Sequence, residues 1–239
     1  MPVLQDWDIH ITADDVLRLQ GANPDLVRQR RPFLFEIAQW AIQEGTPLLV
    51  PQVLYQEFRV KSLTHERLNV DGNNTALKHR QISGSLVSKH LLGAQVLIAM
   101  LCTIGDQLEE TSTAVMQEDP LRGLALDAAG SAAAEALATS ASNYFEILAF
   151  DKGMHTSIPL NPGMIGWPVE KGQPEVFGLL AEEQNLNPDF HVSLTDSHLM
   201  IPQKTISLIL GQGEALNRQG KICDYCSLNE TCRYQDHYA

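Results

Sequence analysis

Positive charge is scarce in this sequence, and so are aromatic residues and cysteine. Lysine and arginine together number 17 against 29 aspartates and glutamates, which gives a formal net charge of -12. Because binding to nucleic acid depends on positive charge near its phosphates, nucleic acid is not expected as a partner of this acidic chain. The same charge suits docking on a basic surface of another protein.

The sequence also lacks a long apolar run. No window approaches 18 uninterrupted apolar residues, which is about the length that a membrane-spanning helix needs. The N-terminal stretch MPVLQDWDIHITADD is acidic and has no signal-peptide pattern. We therefore predict a cytoplasmic protein with no membrane contact. A hydrophobic content of 44% over 239 residues is enough for one large domain with a buried core.

Familiar catalytic signatures are missing as well. There is no Walker A loop, no G-x-G-x-x-G after a predicted strand and no G-x-S-x-G. The histidines form no H-x-x-x-H pair, and His65, His79, His90 and His155 are expected at the surface.

The order of the predicted elements favours an α+β domain, with a twisted, mainly antiparallel sheet and flanking helices, because strands and helices do not alternate regularly. The domain is predicted over residues 1–218, followed by a cysteine-rich tail over 219–239. Helices are predicted over 13–20, 26–44, 83–92, 106–117, 119–148 and 174–183, strands over 47–60, 94–102, 190–194, 198–201 and 205–210, and a turn over 69–74.

The helix over 119–148 is predicted to be the longest. Asp119 is a favoured N-cap, Pro120 suits the first helical position, and the alanine- and leucine-rich stretch that follows has high helix propensity. Glu135 is a single carboxylate among small residues, and no residue three or four positions away carries positive charge. It is either a solvated surface residue or a carboxylate aimed into a cleft for a cationic ligand.

Three of the four cysteines lie close together near the end of the chain. Cys223-x2-Cys226 has the spacing of a chelating pair, and Cys232 would add a third ligand. The tail is too short to bury a hydrophobic core of its own. A bound metal would therefore stabilise its fold. Zinc with His237, or an iron–sulfur cluster with Cys102 as a distant fourth ligand, are both compatible, and the cluster is slightly favoured. The alternative is free thiols or a disulfide.

Five stretches, taken together and in order, resemble the activation (reactivation) domain of cobalamin-dependent methionine synthase, in a short free-standing form. Each stretch is weak alone, and the resemblance covers most of the chain. They are DDVLRLQGAN, ISGSLVSKHLLGAQVLIAMLCTIGDQLEE, LALDAAGSAAAEALA, NPGMIGWP and LTDSHLMIPQKTISLILGQG.

The resemblance implies a twisted antiparallel sheet with flanking helices, a bound S-adenosylmethionine and a cobalamin-carrying partner. It implies that an outside electron-donor protein helps to return inactive cobalt to its methylated state. Glu135 falls on the family's donor-contacting glutamate, and the implied binding loop holds Asn161, Pro162, Gly163 and Met164.

Two positions depart from the family pattern. Pro159 stands where the resemblance expects an arginine, and Met164 stands where it expects a tyrosine. Proline cannot pair with a ligand carboxylate as arginine does, so S-adenosylmethionine is expected to bind weakly or not at all.

Two function hypotheses result. The first is an accessory protein that docks on a corrinoid protein and helps to reactivate its cobalt, with the tail relaying an electron if it holds a cluster. The second is a non-catalytic, metal-binding adaptor that kept the fold and lost the donor site. Glu135 and the loop favour the first hypothesis. Pro159 and Met164 favour the second.

Overall fold

The computed structural model describes residues 3–71, 81–216 and 218–232, and within these an antiparallel sheet forms the centre of the molecule. Its strands run in the order β4-β3-β2-β5-β9-β6, with β1 paired to β2, while β7 and β8 form a separate hairpin. The strands are β1 Val3–Leu4, β2 Gln52–Thr64, β3 Arg67–Val70, β4 Gln81–Ser83, β5 Val96–Thr103, β6 His155–Thr156, β7 Ser193–Leu194, β8 Met200–Ile201 and β9 Thr205–Gly213.

The central strand β5 is apolar from Val96 to Cys102 because both faces of the sheet are covered. It pairs with β2 on one side and with β9 on the other. Successive side chains point to opposite faces of a strand. Leu97, Ala99 and Leu101 therefore enter one core, and Ile98, Met100 and Cys102 enter the other.

Helices cover the two faces unequally. The helices are α1 Ala13–Leu19, α2 Pro24–Arg30, α3 Pro32–Gly45, α4 Ser85–His90, α5 Gln107–Glu118, α6 Pro120–Phe150 and α7 Val169–Leu186. The second half of α6 packs on β5 and β9, and its first half packs with α1 and α3. Residues of α4 and α7 cover the opposite face. No helix in the described part of the chain is long and apolar enough to cross a membrane.

The long helix α6 begins where the sequence predicts. The Asp119 side chain accepts a hydrogen bond from the Arg122 N–H at 3.2 Å, and Pro120 occupies the first turn. Small residues let neighbours approach: a Cβ added to Gly130 would lie 2.6 Å from Leu108 of α5. The helix is therefore held both by its own propensity and by close packing.

The predicted fold class is confirmed, but several predicted bounds are wrong. The single helix over 26–44 is two helices, because Pro32 opens a new helix after Arg31. The helix predicted over 174–183 begins at Val169 and contains Pro174. The last strand runs on to Gly213. Of the turn predicted over 69–74, the first two residues belong to β3, and positions 72–74 lie outside the described residues.

Candidate functional site

The loop between β6 and α7 has a fixed shape. Leu160 and Ile209 of β9 exchange two backbone hydrogen bonds at 2.9 Å, which fixes the loop to the sheet. Gly163 has a φ of 101°, a conformation that favours glycine, and its N–H donates to the Trp167 carbonyl at 2.8 Å. The buried Trp167 indole donates to Glu175 of α7 at 2.9 Å. The loop thus presents its residues from a rigid position.

Glu135 of α6 and Asn161 of this loop line the same small cavity. Glu135 is half-buried, and the Asn161 side-chain amide donates to the Ser207 carbonyl of β9 at 3.3 Å. The cavity has a volume of about 20 Å³, and Pro159 and Ile222 also line it. A drug-sized ligand needs roughly 300 Å³ or more. A ligand such as a nucleoside can therefore enter only if lining side chains, such as Ile222, move.

A second cavity lies beside this one along α6. This neighbouring cavity of about 90 Å³ shares Thr139, Ser142, Pro159 and Ile222 with the first, so the two lie side by side along α6. Glu146 and Arg218 line this second cavity and also a third one of about 290 Å³, which extends to Met154 and His155. We call the first two cavities together the α6 groove.

The other three loop residues singled out by the sequence do not line the α6 groove. Pro162 packs against α7, where a Cβ added to Gly172 would lie 2.8 Å from it. Gly163 forms the turn described above. Met164 is buried in the core, and its sulfur accepts the Asn161 backbone N–H at 3.4 Å. These three residues shape the loop, while Asn161 faces the groove.

Nearby lysines are placed away from the groove. The Lys204 ammonium pairs with Asp127 at 2.7 Å and donates to the Ser131 hydroxyl at 2.9 Å, one turn before Glu135. Lys152 is exposed beyond the end of α6. Within the described residues, Arg218 is the lysine or arginine that lines the α6 groove. Its guanidinium pairs with Glu146 at 3.0 Å. No sequence signal marks Arg218, because it lies far from the groove residues along the chain.

The cysteine tail is bonded to the loop. A short 3-10 helix, Ile222–Tyr225, is followed by Cys226, whose N–H donates to the Cys223 carbonyl at 3.2 Å. The Tyr225 carbonyl accepts a hydrogen bond from the Ile165 N–H at 2.8 Å. The backbones of Cys226 and Met164 pair in an isolated antiparallel β-bridge. The first part of the tail therefore lies against the loop, and Ile222 lines the groove.

The tail cysteines are partly buried. No three histidine, cysteine, aspartate or glutamate side chains lie in positions to hold a metal ion within residues 3–71, 81–216 and 218–232. Cys102 is fully buried in the core on the α6 side of the sheet, whereas Tyr225 packs against the opposite core. Burial raises the pKa of the Cys102 thiol to about 12, which disfavours the thiolate that a metal requires. Cys102 is thus an unsuitable fourth ligand, and His237 lies outside the described residues.

His90 is not at the surface, contrary to the expectation from sequence. It is 2% exposed, and its Nε2 has no hydrogen-bond partner in the described part of the chain. The His90 and Tyr225 rings pack edge to face, with their centroids 4.4 Å apart. The Lys89 ammonium lies 4.6 Å from the centroid of the Tyr225 ring. Burial is the main cause that lowers the pKa of His90, with Lys89 adding to it. The tail is therefore seated on α4 as well as on the loop.

No protein-family model and no curated protein matches the sequence. Among solved structures, the chain is similar to the crystal structure of the MetH reactivation domain bound to AdoHcy, with a TM-score of 0.60. The match covers 92% of this chain and 82% of that chain at 13% identity. At this identity the similarity shows a shared fold. It agrees with the fold that the resemblance in sequence implied.

Proposed function

We propose that this protein is an accessory protein of cobalamin-dependent methyl transfer, which docks on a corrinoid protein and helps to reactivate its cobalt. The observation that carries the proposal is that Glu135 and Asn161, from α6 and the loop, line one cavity in a fold shared with the MetH reactivation domain. Fold alone does not give function, so the cavity is the stronger part of the argument.

In this proposal the corrinoid is held outside these 239 residues. No histidine in the 239 residues stands in the D-x-H-x-x-G sequence with which corrinoid-binding domains present histidine to cobalt. The loop face offers apolar contact area, since Ile165 is 61% exposed and Leu228 of the tail is 63% exposed. Because the cofactor must also meet other reactants, the contact is transient and of modest area.

The tail has a supporting role in this proposal. Cys223, Cys226 and Cys232 would hold an iron–sulfur cluster or a zinc ion, and the tail would tighten around it. A cluster would supply electron transfer from an electron-donor protein, whereas zinc would supply rigidity. In either case the tail stays beside the loop through the Tyr225 and Ile165 backbone contact.

A second candidate is a metal-binding adaptor without methyl-donor chemistry. Two observations favour it. Pro159 lines the groove where the resemblance expects an arginine, and the cavity beside Glu135 holds about 20 Å³. The adaptor would keep partner docking and the tail metal but would give no methyl transfer.

Affinity capture from the native host tests the proposal. Corrinoid proteins should be retained, and their affinity for the purified protein should fall as salt rises, because a net charge of -12 guides the encounter. If no corrinoid protein is retained and none from the host binds more tightly than about 100 μM, the corrinoid proposal is wrong. Retention without methyl transfer from S-adenosylmethionine would support the adaptor.

A further inference from the structure

The second half of the loop, residues 165–168, is bonded to a carboxylate of α7. Glu175 is half-buried, and its Oε2 accepts a hydrogen bond from the Trp167 indole N–H at 2.9 Å. The same side chain accepts two bonds from Ser83 of β4, one from the hydroxyl to Oε1 at 2.7 Å and one from the backbone N–H to Oε2 at 3.3 Å. Glu175 thus joins the loop to β4 as well as to its own helix.

The three donors that converge on Glu175 require a carboxylate. A carboxylate offers two acceptor oxygens, whereas an amide of the same shape offers one oxygen and an NH₂ group that only donates. Trp167 is fully buried, so its indole N–H has no water to bond if the Glu175 oxygen is removed. A buried donor without an acceptor is costly, so the bond to Glu175 favours this one position of Trp167.

The backbone next to Trp167 is in close contact with the start of α4. A Cβ added to Gly84, the N-cap residue of α4, would lie 2.5 Å from the Gly166 carbonyl oxygen. Ile165, the residue before Gly166, is 61% exposed, and its N–H donates to the Tyr225 carbonyl of the tail at 2.8 Å. The Ile165 side chain therefore projects from a backbone that is held both by the tail and by the contact at Gly84.

We propose that Glu175 is a positioning residue, which holds the loop in the shape that exposes Ile165 for docking and bonds the tail. It acts by bonding Trp167 and Ser83 together, not by touching a partner. A loop held in its binding conformation loses less entropy when a partner docks, which raises the affinity. This inference rests on the proposed function for the use of the loop face in docking, and its first test needs no partner.

Glu175→Gln tests the proposal, because glutamine keeps the size of the side chain and loses one acceptor oxygen. Amide hydrogen exchange followed by NMR reports how often each backbone N–H opens to water. The Ile165 N–H should exchange about tenfold or more faster in Glu175→Gln than in the wild-type protein, because the loop loses the bond that holds it. Glu170→Gln is the control, since Glu170 is an exposed carboxylate in the first turn of the same helix. It should leave the exchange of Ile165 unchanged.

Two further measurements separate positioning from a general contribution to stability. The Met100 N–H lies in the buried central strand β5 and should exchange only by global unfolding, so Ile165 should exchange faster than Met100 in the wild-type protein. Trp167→Phe removes the indole donor and keeps an aromatic ring. In that background Glu175→Gln should accelerate Ile165 by a smaller factor, because the bond between the two side chains is already absent. Circular dichroism should show all variants folded.

Unchanged exchange of Ile165 in Glu175→Gln overturns the inference, even if the urea midpoint falls. So do equal exchange rates of Ile165 and Met100 in the wild-type protein, or an equal effect of Glu175→Gln with and without the Trp167 indole. A captured corrinoid protein should bind Glu175→Gln several-fold more weakly than the wild-type protein. Faster exchange with unchanged affinity refutes the role of Glu175 in docking, whereas capture of no corrinoid protein refutes the proposed function and leaves the exchange result to decide how the loop is held.

Discussion

The Ile165 backbone N–H donates to the Tyr225 carbonyl at 2.8 Å, which joins the binding loop to the cysteine tail. Three residues before Tyr225, Ile222 lines both cavities of the α6 groove. Both residues belong to one turn of 3-10 helix, so this part of the tail contacts the loop and the groove together. This link brings together two features that the sequence presents separately, the loop and the cysteines.

Replacing Ile222 should open the groove. In Ile222→Ala a side chain that lines the cavity beside Glu135 is shortened, so S-adenosylhomocysteine should bind several-fold more tightly than to the wild-type protein. The wild-type dissociation constant should lie above about 100 μM. The substitution should also cost roughly 1 kcal/mol of stability, because Ile222 is partly buried.

Leu228→Ala is the control for that substitution, since Leu228 lies in the same tail and is 63% exposed. It should alter neither affinity nor stability. Calorimetry or NMR titration gives the affinities, and urea unfolding gives the stability. An affinity in the low micromolar range for the wild-type protein would contradict the closed groove, and so would an Ile222→Ala variant that binds no better.

The tail cysteines are expected to bind one metal centre per chain. Cys223→Ser, Cys226→Ser and Cys232→Ser should each lower the metal content, because three thiolates share the centre. Elemental analysis of protein purified without oxygen measures the content, and absorption near 400 nm identifies thiolate-bound iron. Cys102→Ser should keep the metal, since its thiol is fully buried on the other side of the sheet.

The outcome against this prediction is specific. Less than about half a metal per wild-type chain, with three thiols that react freely, leaves no metal centre in the tail. A metal content that falls in Cys102→Ser, in folded protein, would place the fourth ligand in the core.

Two glycines should respond to alanine in opposite directions. A Cβ at Gly213 would lie 2.3 Å from the Gly93 carbonyl oxygen, so Gly213→Ala must shift the backbone and should cost about 2 kcal/mol or more. Gly178 lies on the exposed side of α7 with nothing within 4 Å of an added Cβ. Gly178→Ala should stabilise by about 0.5–1 kcal/mol, because alanine is the better helix former. Equal urea midpoints for the two variants would contradict this packing.

The long helix α6 and the buried strand β5 could be predicted from the sequence almost completely. Asp119 and Pro120 mark the start of α6 by local chemistry, and the apolar run of β5 reflects a strand buried on both faces. Local signals predict two bounds less well, because Pro32 starts a new helix after Arg31 and Gly213 remains in its strand.

The candidate site was only half accessible to sequence reasoning. Glu135 was marked by its isolation among small residues, but nothing local indicates that Arg218 and Ile222 lie across the same helix. That placement depends on the path of the chain after β9, which is a tertiary property. His90 could have been found, because it follows the buried Leu86 by one helical turn.

The stability of the protein should fall as the pH falls through the region where His90 titrates. Burial lowers the pKa of His90 in the folded state below its ordinary value of 6.5, so the unfolded chain binds the proton more readily. The contribution of His90 to the free energy of unfolding is fully present above about pH 6.5 and is lost on acidification. The free energy of unfolding then falls by up to about 1.4 kcal/mol per pH unit. Protonation of His90 should also weaken its packing against Tyr225, because a charged imidazole ring would be buried there beside the Lys89 ammonium.

His90→Phe isolates this effect, since phenylalanine keeps an aromatic ring against Tyr225 and cannot be protonated. Urea unfolding at pH 5, 6, 7 and 8 should show a smaller loss of stability on acidification for His90→Phe than for the wild-type protein. His65→Phe is the control, because His65 is exposed, and its pH profile should follow the wild type. Parallel profiles for the wild-type protein and His90→Phe would mean that His90 is not the group whose protonation is linked to unfolding.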